Sequence, residues 1–218
     1  MKLGIVYNIF DGLENLKESI AGIQPFAHQI ELVYGKYQDH KGEIAKRQQG
    51  IDRLIDCTHV LLMDCDEVYK PEEVDRAIYY INRHDLQATA CQMQTYYKYK
   101  NVRFATPEEY YVPFIQKIGK LQLSAKWNVL ADPTRKIPCN QVHTFKRDFL
   151  ELHHYSHVRD SVQSYSEKLT NSSAYPNYKE RVVDIVKDWS NFEPDTHDFT
   201  KPVNIAGKGN RKELLTLT

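Results

Sequence analysis

The chain of 218 residues has little of what marks membrane, disulfide-rich or repetitive proteins. No apolar run approaches the ~20 residues that cross a bilayer. The first apolar stretch, Leu3 to Phe10, is short and holds Asn8, so it reads as a strand rather than a leader. The four cysteines (Cys57, Cys65, Cys91, Cys139) show no C-x-x-C spacing. That argues against a zinc ribbon or a disulfide framework and makes a reducing, cytoplasmic setting the expectation. There is no internal repeat and no low-complexity tract. Net charge is absent too, with 29 basic residues balanced by 29 acidic ones.

The balance is not uniform. Residues 1–97 carry 10 Lys/Arg against 15 Asp/Glu, residues 98–147 carry 10 against 3, and residues 148–218 carry 9 against 11. The middle third is a basic island of +7, which favours an anionic ligand such as a nucleotide diphosphate or a nucleic acid. A solvated face with scattered lysines accounts for it equally well.

Hydrophobic residues make up 41% of the chain, enough for a sizeable core. Lys2–Phe10 is apolar and β-branched, a buried strand. Leu13, Leu16, Ile20 and Ile23 recur at helical spacing and end before Pro25. His28–Tyr34 is a second strand. A second helix follows Gly42, with Ile44, Ile51, Leu54 and Ile55 on one face. Thr58–Met63 is a third strand, almost wholly apolar. Pro71 opens a third helix, with Glu72 and Glu73 where acids suit the helix dipole. The β-α-β-α-β-α order predicts an α/β domain with a mainly parallel sheet. Tyr-rich Ala88–Tyr99 reads as an exposed strand. Helical pieces are expected near 161–169 and 178–189, in a smaller C-terminal helical part. The expected division is 1–150 and 151–218.

The run H-V-L-L-M-D-C-D-E-V-Y (59–69) carries the chemistry. Side chains alternate along a strand, so Asp64 and Asp66 share a side and Cys65 faces the other. They stand where an apolar strand meets its loop, the edge at which open α/β sheets bind ligands. Two such carboxylates repel unless a cation separates them. Mg²⁺ or Mn²⁺ suits oxygen ligands and bridges to phosphates. A polar strand end before a helix is the plainer account of the same residues.

Residues 42–74, with Ala45, Arg47 and Gly50 ahead of D-x-D and a Pro-led helix, resemble family 2 glycosyltransferases of the GT-A type. V-Y-N at 6–8 is similar to that family's T-Y-N. The similarity covers roughly residues 1–85. It implies a GT-A, Rossmann-like fold and a nucleoside-diphosphate sugar donor. It also implies a bound Mn²⁺ or Mg²⁺ held by Asp64 and Asp66. Asn8, Tyr34, Arg47, Asp64 and Arg159 are the donor-binding candidates. The acidic residues that usually end the family's second strand are replaced by E-L-V-Y-G-K-Y-Q-D. Only Asp39 stands late in that stretch, and Tyr34 or Tyr37 offers a face to a base instead.

E-L-H-H-Y-S-H-V-R (151–159) resembles the family's H-[WY]-G-Y-V-R element. The match makes His154 a third metal ligand and Arg159 a partner for the diphosphate. Packing and surface hydrogen bonding are the plain alternative for three close histidines. Tyr97, Lys98, Lys100 and Arg103 interleave rings with cations and are candidate acceptor contacts. A Tyr-rich edge strand guarded by lysines is the alternative. G-K-G-N-R-K (207–212) looks phosphate-friendly but lacks the P-loop pattern.

An inverting transfer needs a carboxylate base near the acceptor hydroxyl, and Asp132 in W-N-V-L-A-D-P is the candidate. Small stand-alone proteins of this look occur among phage genes, which implies the host cytoplasm. Some phage transferases act on hydroxymethylated pyrimidines in DNA, and the basic island is compatible with a DNA acceptor. A saccharide acceptor, a nucleotidyltransferase and a non-catalytic sugar-nucleotide-binding protein are the rivals. Neither a membrane partner nor an oligomeric state is indicated.

Overall fold

The computed structural model describes residues 1–10, 13–37, 39–171, 179–206 and 211–217. In chain order the principal elements are β1 (Leu3–Ile9), α1 (Leu16–Ile23), β2 (Gln29–Tyr34), α2 (His40–Asp52), β3 (His59–Asp64), β4 (Glu67–Val68), α3 (Pro71–His84) and β5 (Ala88–Tyr97). These are followed by β6 (Tyr99–Phe104), β7 (Tyr111–Lys117), β8 (His143–Thr144), β9 (Glu151–His157), α4 (Val162–Asn171), α5 (Val182–Asn191), β10 (Val203–Asn204), β11 (Arg211–Lys212) and β12 (Leu214–Thr216). The chain divides into two compact units. One is Met1–Met93 with Glu108–His153, the other Gln94–Pro107 with His154–Thr218. No described helix is long and apolar enough to cross a membrane.

The first unit is the expected mixed α/β domain. Its strands run in the order β2-β1-β3-β7-β5. β1 is parallel to β2 and β3, and β7 is antiparallel to β3 and β5. Strand alternation sends Leu3, Ile5, Tyr7 and Ile9 into one core with Ile23 of α1 and Val74, Ala77 and Ile81 of α3. Val6, Val60 and Leu62 enter a second core with Ile51 of α2. α3 starts on Pro71 and ends at Asp85, whose left-handed φ of 45° stops the helix.

Helix α2 lies unusually close to the sheet. A Cβ on Gly50 would stand 2.2 Å from Val6 Cγ1, and one on Gly4 would stand 2.5 Å from Leu54 Cδ1. An added methyl at Gly50 would press on Val6 of the sheet, and one at Gly4 would displace the tip of Leu54. The helix buries Glu43, Lys46 and Arg47 beside Ile51, so its inner face is polar toward the N-terminus and apolar toward the C-terminus. It ends at Asp52, and Ile55, expected on its buried face, is 72% exposed.

β5 differs from its expected exposure. Nine of its ten residues are buried and Gln92 is half-buried. Its first half pairs with β7 and β8 in the first unit, and its end pairs with β6 in the second. Ala88 and Ala90 pack into one apolar cluster and Cys91 and Met93 into another, so both faces are covered and the strand needs no polar alternation.

In the second unit the β5 end and β6 form a tight turn at Lys98, where φ is +57°. β12 extends β6 on its far side, with Leu214 opposite Phe104. Tyr97, Val102 and Phe104 pack with Tyr165 and Leu169 of α4 and Ile185 and Trp189 of α5. His157 is buried among them. Its Nδ1 lies 2.8 Å from the Tyr165 hydroxyl, and its carbonyl accepts from Trp189 Nε1 at 2.7 Å. Burial, then Lys168, holds its imidazole well below the usual histidine range. Both C-terminal helices expected from the sequence are present, the second behind a short 3₁₀ turn at Lys179–Arg181.

Candidate functional site

The C-terminal ends of β1, β2 and β3 bring three expected residues to one edge. Register places Asn8 beside Asp64 and Ile9 beside Tyr34. Asn8 Nδ2 donates to Asp64 Oδ1 at 3.2 Å. Tyr34 is 66% exposed, so its ring is open to a ligand. β3 stops at Asp64, and Asp66 falls in the following turn rather than in the strand. Cys65 turns the other way, into the core beneath α1 and α3.

Arg47 arrives from below. It lies one helical turn before Gly50, and the close approach of α2 delivers its guanidinium to the sheet. It is fully buried. Its Nη2 donates to Asp64 Oδ1 at 2.9 Å, Asp64 Oδ2 at 3.2 Å and Glu43 Oε1 at 2.7 Å. Two buried polar atoms, Arg47 Nη1 and Asn8 Oδ1, have no hydrogen-bond partner among the described residues. Such atoms cost stability unless another group meets them. Nearby, Lys46 Nζ donates to the carbonyls of Ile9 and Gly35 and lies 5.7 Å from the Tyr37 ring. Tyr37 is half-buried, 5.6 Å from Phe10, and desolvation holds its phenol protonated well above the usual range.

Arg135 is the residue that sequence reasoning missed. Its Nη2 donates to Asp64 Oδ2 at 2.5 Å and to Glu67 Oε1 at 2.7 Å. Its Nη1 donates to Glu67 Oε2 at 2.7 Å and to the Leu62 carbonyl at 3.2 Å. Its Nε stands 3.0 Å from Asp132 Oδ2. The buried Gln116 amide fixes the backbone that follows it, donating to the Arg135 carbonyl and accepting from the Ile137 N–H. Burial alone would raise the Asp64 carboxyl, but Arg135 and Arg47 outweigh it and hold it at about 2. Glu67 is pushed up by burial, against the pull of Arg135.

This donor set does not fit the expected divalent cation. Both Asp64 oxygens already accept from guanidinium groups, and two positive charges face the position such an ion would take. Among the described residues no group of three or more His, Cys, Asp or Glu is placed to hold a metal ion. His154 and Arg159 belong to the second unit. Arg159 is buried there, with Nε donating to the Ser156 carbonyl.

Asp132 does not stand ready as a base. Its Oδ1 accepts from Thr134 N and Thr134 Oγ1, both at 2.8 Å, so the side chain caps the short 3₁₀ helix Pro133–Arg135. Asp39 likewise caps α2, accepting from Gly42 N at 2.8 Å.

The expected acceptor strip is also scaffold for the most part. Tyr97 is fully buried. Lys98 Nζ donates to the carbonyls of Ser190, in the last turn of α5, and Phe192, its C-cap, and to Glu193. Lys100 is exposed, with Nζ 5.0 Å from the Tyr155 ring centroid. Arg103 is half-buried in β6. The rest of the basic island lies in the first unit, where Lys117 pairs with Asp85, Lys120 with Asp52, and Arg135 with the acidic cluster. The island is therefore divided between the two units, and three of its first-unit cations are paired with carboxylates. In the 207–212 tract, residues 207–210 lie outside the described residues.

No protein-family model matches the chain, and no curated protein matches its sequence. Solved structures of S. aureus TarS are similar to it. The 1–349 fragment matches at 9% identity and a TM-score of 0.47, over 92% of this chain and 74% of that one. The same fragment in complex with UDP matches at 8% and 0.46, over 92% and 75%. Its complex with UDP-GlcNAc matches at 11% and 0.45, over 90% and 74%. Likeness of this order assigns no activity.

Proposed function

We propose that the chain transfers a sugar from a nucleoside-diphosphate sugar to a hydroxyl acceptor. One observation carries the reading. The segment resembling family 2 glycosyltransferases folds as α2-β3-β4-α3, and its Arg47 and Asp64 meet Asn8 at the C-terminal edge of three parallel strands. Open α/β sheets bind nucleotides at that edge. Tyr34, exposed at the end of β2, offers a face to the base. Asn8 anchors Asp64 at this edge, and Arg47 supplies fixed positive charge beneath it.

In the reaction the acceptor oxygen forms a bond to the anomeric carbon while the bond to the diphosphate breaks. The acceptor proton leaves to a base, and the diphosphate departs with the electron pair. The residues on this edge bind and orient the donor. Positioning of this kind supplies much of the acceleration in a displacement with a stable leaving group. Asp66, in the turn beyond Asp64, is the remaining carboxylate of the D-x-D pair.

A thermal-shift and calorimetry panel of nucleoside diphosphates and their sugars tests this. One nucleotide is expected to raise the melting temperature, and Asn8→Ala and Tyr34→Ala to weaken it. Slow release of nucleoside diphosphate from the matching sugar nucleotide is expected, as water replaces the acceptor. A panel in which nothing binds contradicts the proposal, and release of pyrophosphate from a nucleoside triphosphate would redirect it to nucleotidyl transfer.

A further inference from the structure

We propose that Arg135 takes the place of a divalent cation at the acidic strand end, and that the site binds its nucleoside diphosphate in metal-free form. The inference rests on the donor-site reading above and says how that site is neutralised.

A carboxylate pair at a strand end needs a counter-charge, and a metal supplies one only if carboxylate oxygens are open to it. Here the oxygens of Asp64 and of its neighbour Glu67 are taken. Asp64 Oδ1 accepts from Asn8 and Arg47, and Asp64 Oδ2 accepts from Arg47 and Arg135. Both Glu67 oxygens accept from Arg135, and Oε2 also accepts from the Asp64 N–H at 2.9 Å. The planar fork of arginine suits this bidentate grip, and its charge cannot be titrated away.

The grip is built into the fold rather than draped over it. Arg135 is 3% exposed and Glu67 is 2% exposed. Asp132 caps the turn that carries Arg135, Pro133 starts that turn, and Gln116 in β7 clamps the backbone after it. Arg135 is therefore a positioning residue, holding Asp64 toward Asn8 and Arg47. A second cation brought to Asp64 would face two guanidinium groups already in contact with it.

Calorimetry with UDP, GDP, CDP, ADP and dTDP, in EDTA and then in excess Mn²⁺, tests this on the whole chain. The affinity of the nucleotide that binds should agree within about twofold between the two conditions. Electron paramagnetic resonance of Mn²⁺ with the wild-type protein alone should show only free ion. Binding lost in EDTA and restored by Mn²⁺, by about tenfold or more, overturns the inference and leaves the transferase reading standing. Absence of binding in both conditions overturns the transferase reading and this inference with it. Arg135→Gln strips Glu67 of its guanidinium and leaves Asp64 with Arg47 as its one cation, so the folded variant should acquire bound Mn²⁺. Arg135→Lys keeps the charge and should not. A folded Arg135→Gln protein that takes up no Mn²⁺ contradicts the substitution of cation by arginine. If Arg135→Gln does not fold, the wild-type measurements decide alone.

Discussion

Arg47 and Lys98 are both cations that the sequence places at ligands, and the structure treats them differently. Arg47 lies on a helix whose distance from the sheet is set by Gly50, and its partners are carboxylates at a strand end. Lys98 lies in a hairpin turn, and its partners include two carbonyls at the C-terminal end of α5. The first position was argued from order across several elements, and register then leaves the side chain few places to go. The second was argued from composition, and composition does not say which lysines are spent on scaffold.

That contrast can be broken most severely at Arg47. Arg47→Ala leaves Glu43 and Asp64 without their shared guanidinium, a loss of about 3 kcal/mol, the low end for a buried pair because Asp64 keeps some solvent. Chemical denaturation measures it, and a loss below about 0.5 kcal/mol would show the cluster to be energetically idle.

Gly50→Ala comes next. The added methyl meets Val6, and such overpacking costs about 1–3 kcal/mol, less the ~1 kcal/mol that Ala gains over Gly inside a helix. The variant should lose stability and nucleotide affinity together, because α2 carries Arg47. A stability loss with unchanged affinity would separate the helix from the site.

Lys98→Ala should cost about 1 kcal/mol through the lost contacts to α5 and leave nucleotide binding unchanged. Nucleic-acid binding that disappears in this variant, with the stability kept, would restore the acceptor role.

Asp132→Ala should cost about 1 kcal/mol as a lost cap, with turnover reduced but measurable. Turnover abolished in a folded variant would make Asp132 the base after all.

The smallest effect is a slope in acid. Asp64 is held at about 2 in the folded chain, below the ~3.9 of an unfolded aspartate. Its contribution is therefore complete above that unfolded value and fades as pH falls through the folded one. Asp64→Asn should remove this part of the acid dependence, seen as a flatter stability profile below about pH 4. An unchanged profile would mean that the two arginines do not hold the carboxyl down.

Much of the first unit was legible because its elements are short, periodic and consecutive. Alternation along β1 and β3 set which residues face α2, and so brought Asn8 to Asp64. Arg135 was not legible, since it reaches Asp64 from a loop far along the chain and no local period marks it. Asp132 carried a second legible signal, that of a cap. D-P-T is an N-cap followed by proline at the first helical position, and that pattern is a cap signal. β5 was misread because a strand covered on both faces shows no polar alternation. The assignment of the 94–107 hairpin to the second unit has no local signal either.

Calorimetric titration of the matching nucleoside diphosphate into wild type, Tyr34→Ala and Lys100→Ala tests the placement of the donor site most directly. The account predicts that Tyr34→Ala weakens binding by about tenfold, the worth of one base stacked on an aromatic ring, while Lys100→Ala leaves it unchanged. Equal affinity for wild type and Tyr34→Ala, with binding lost in Lys100→Ala, would move the site away from the strand ends and contradict the account.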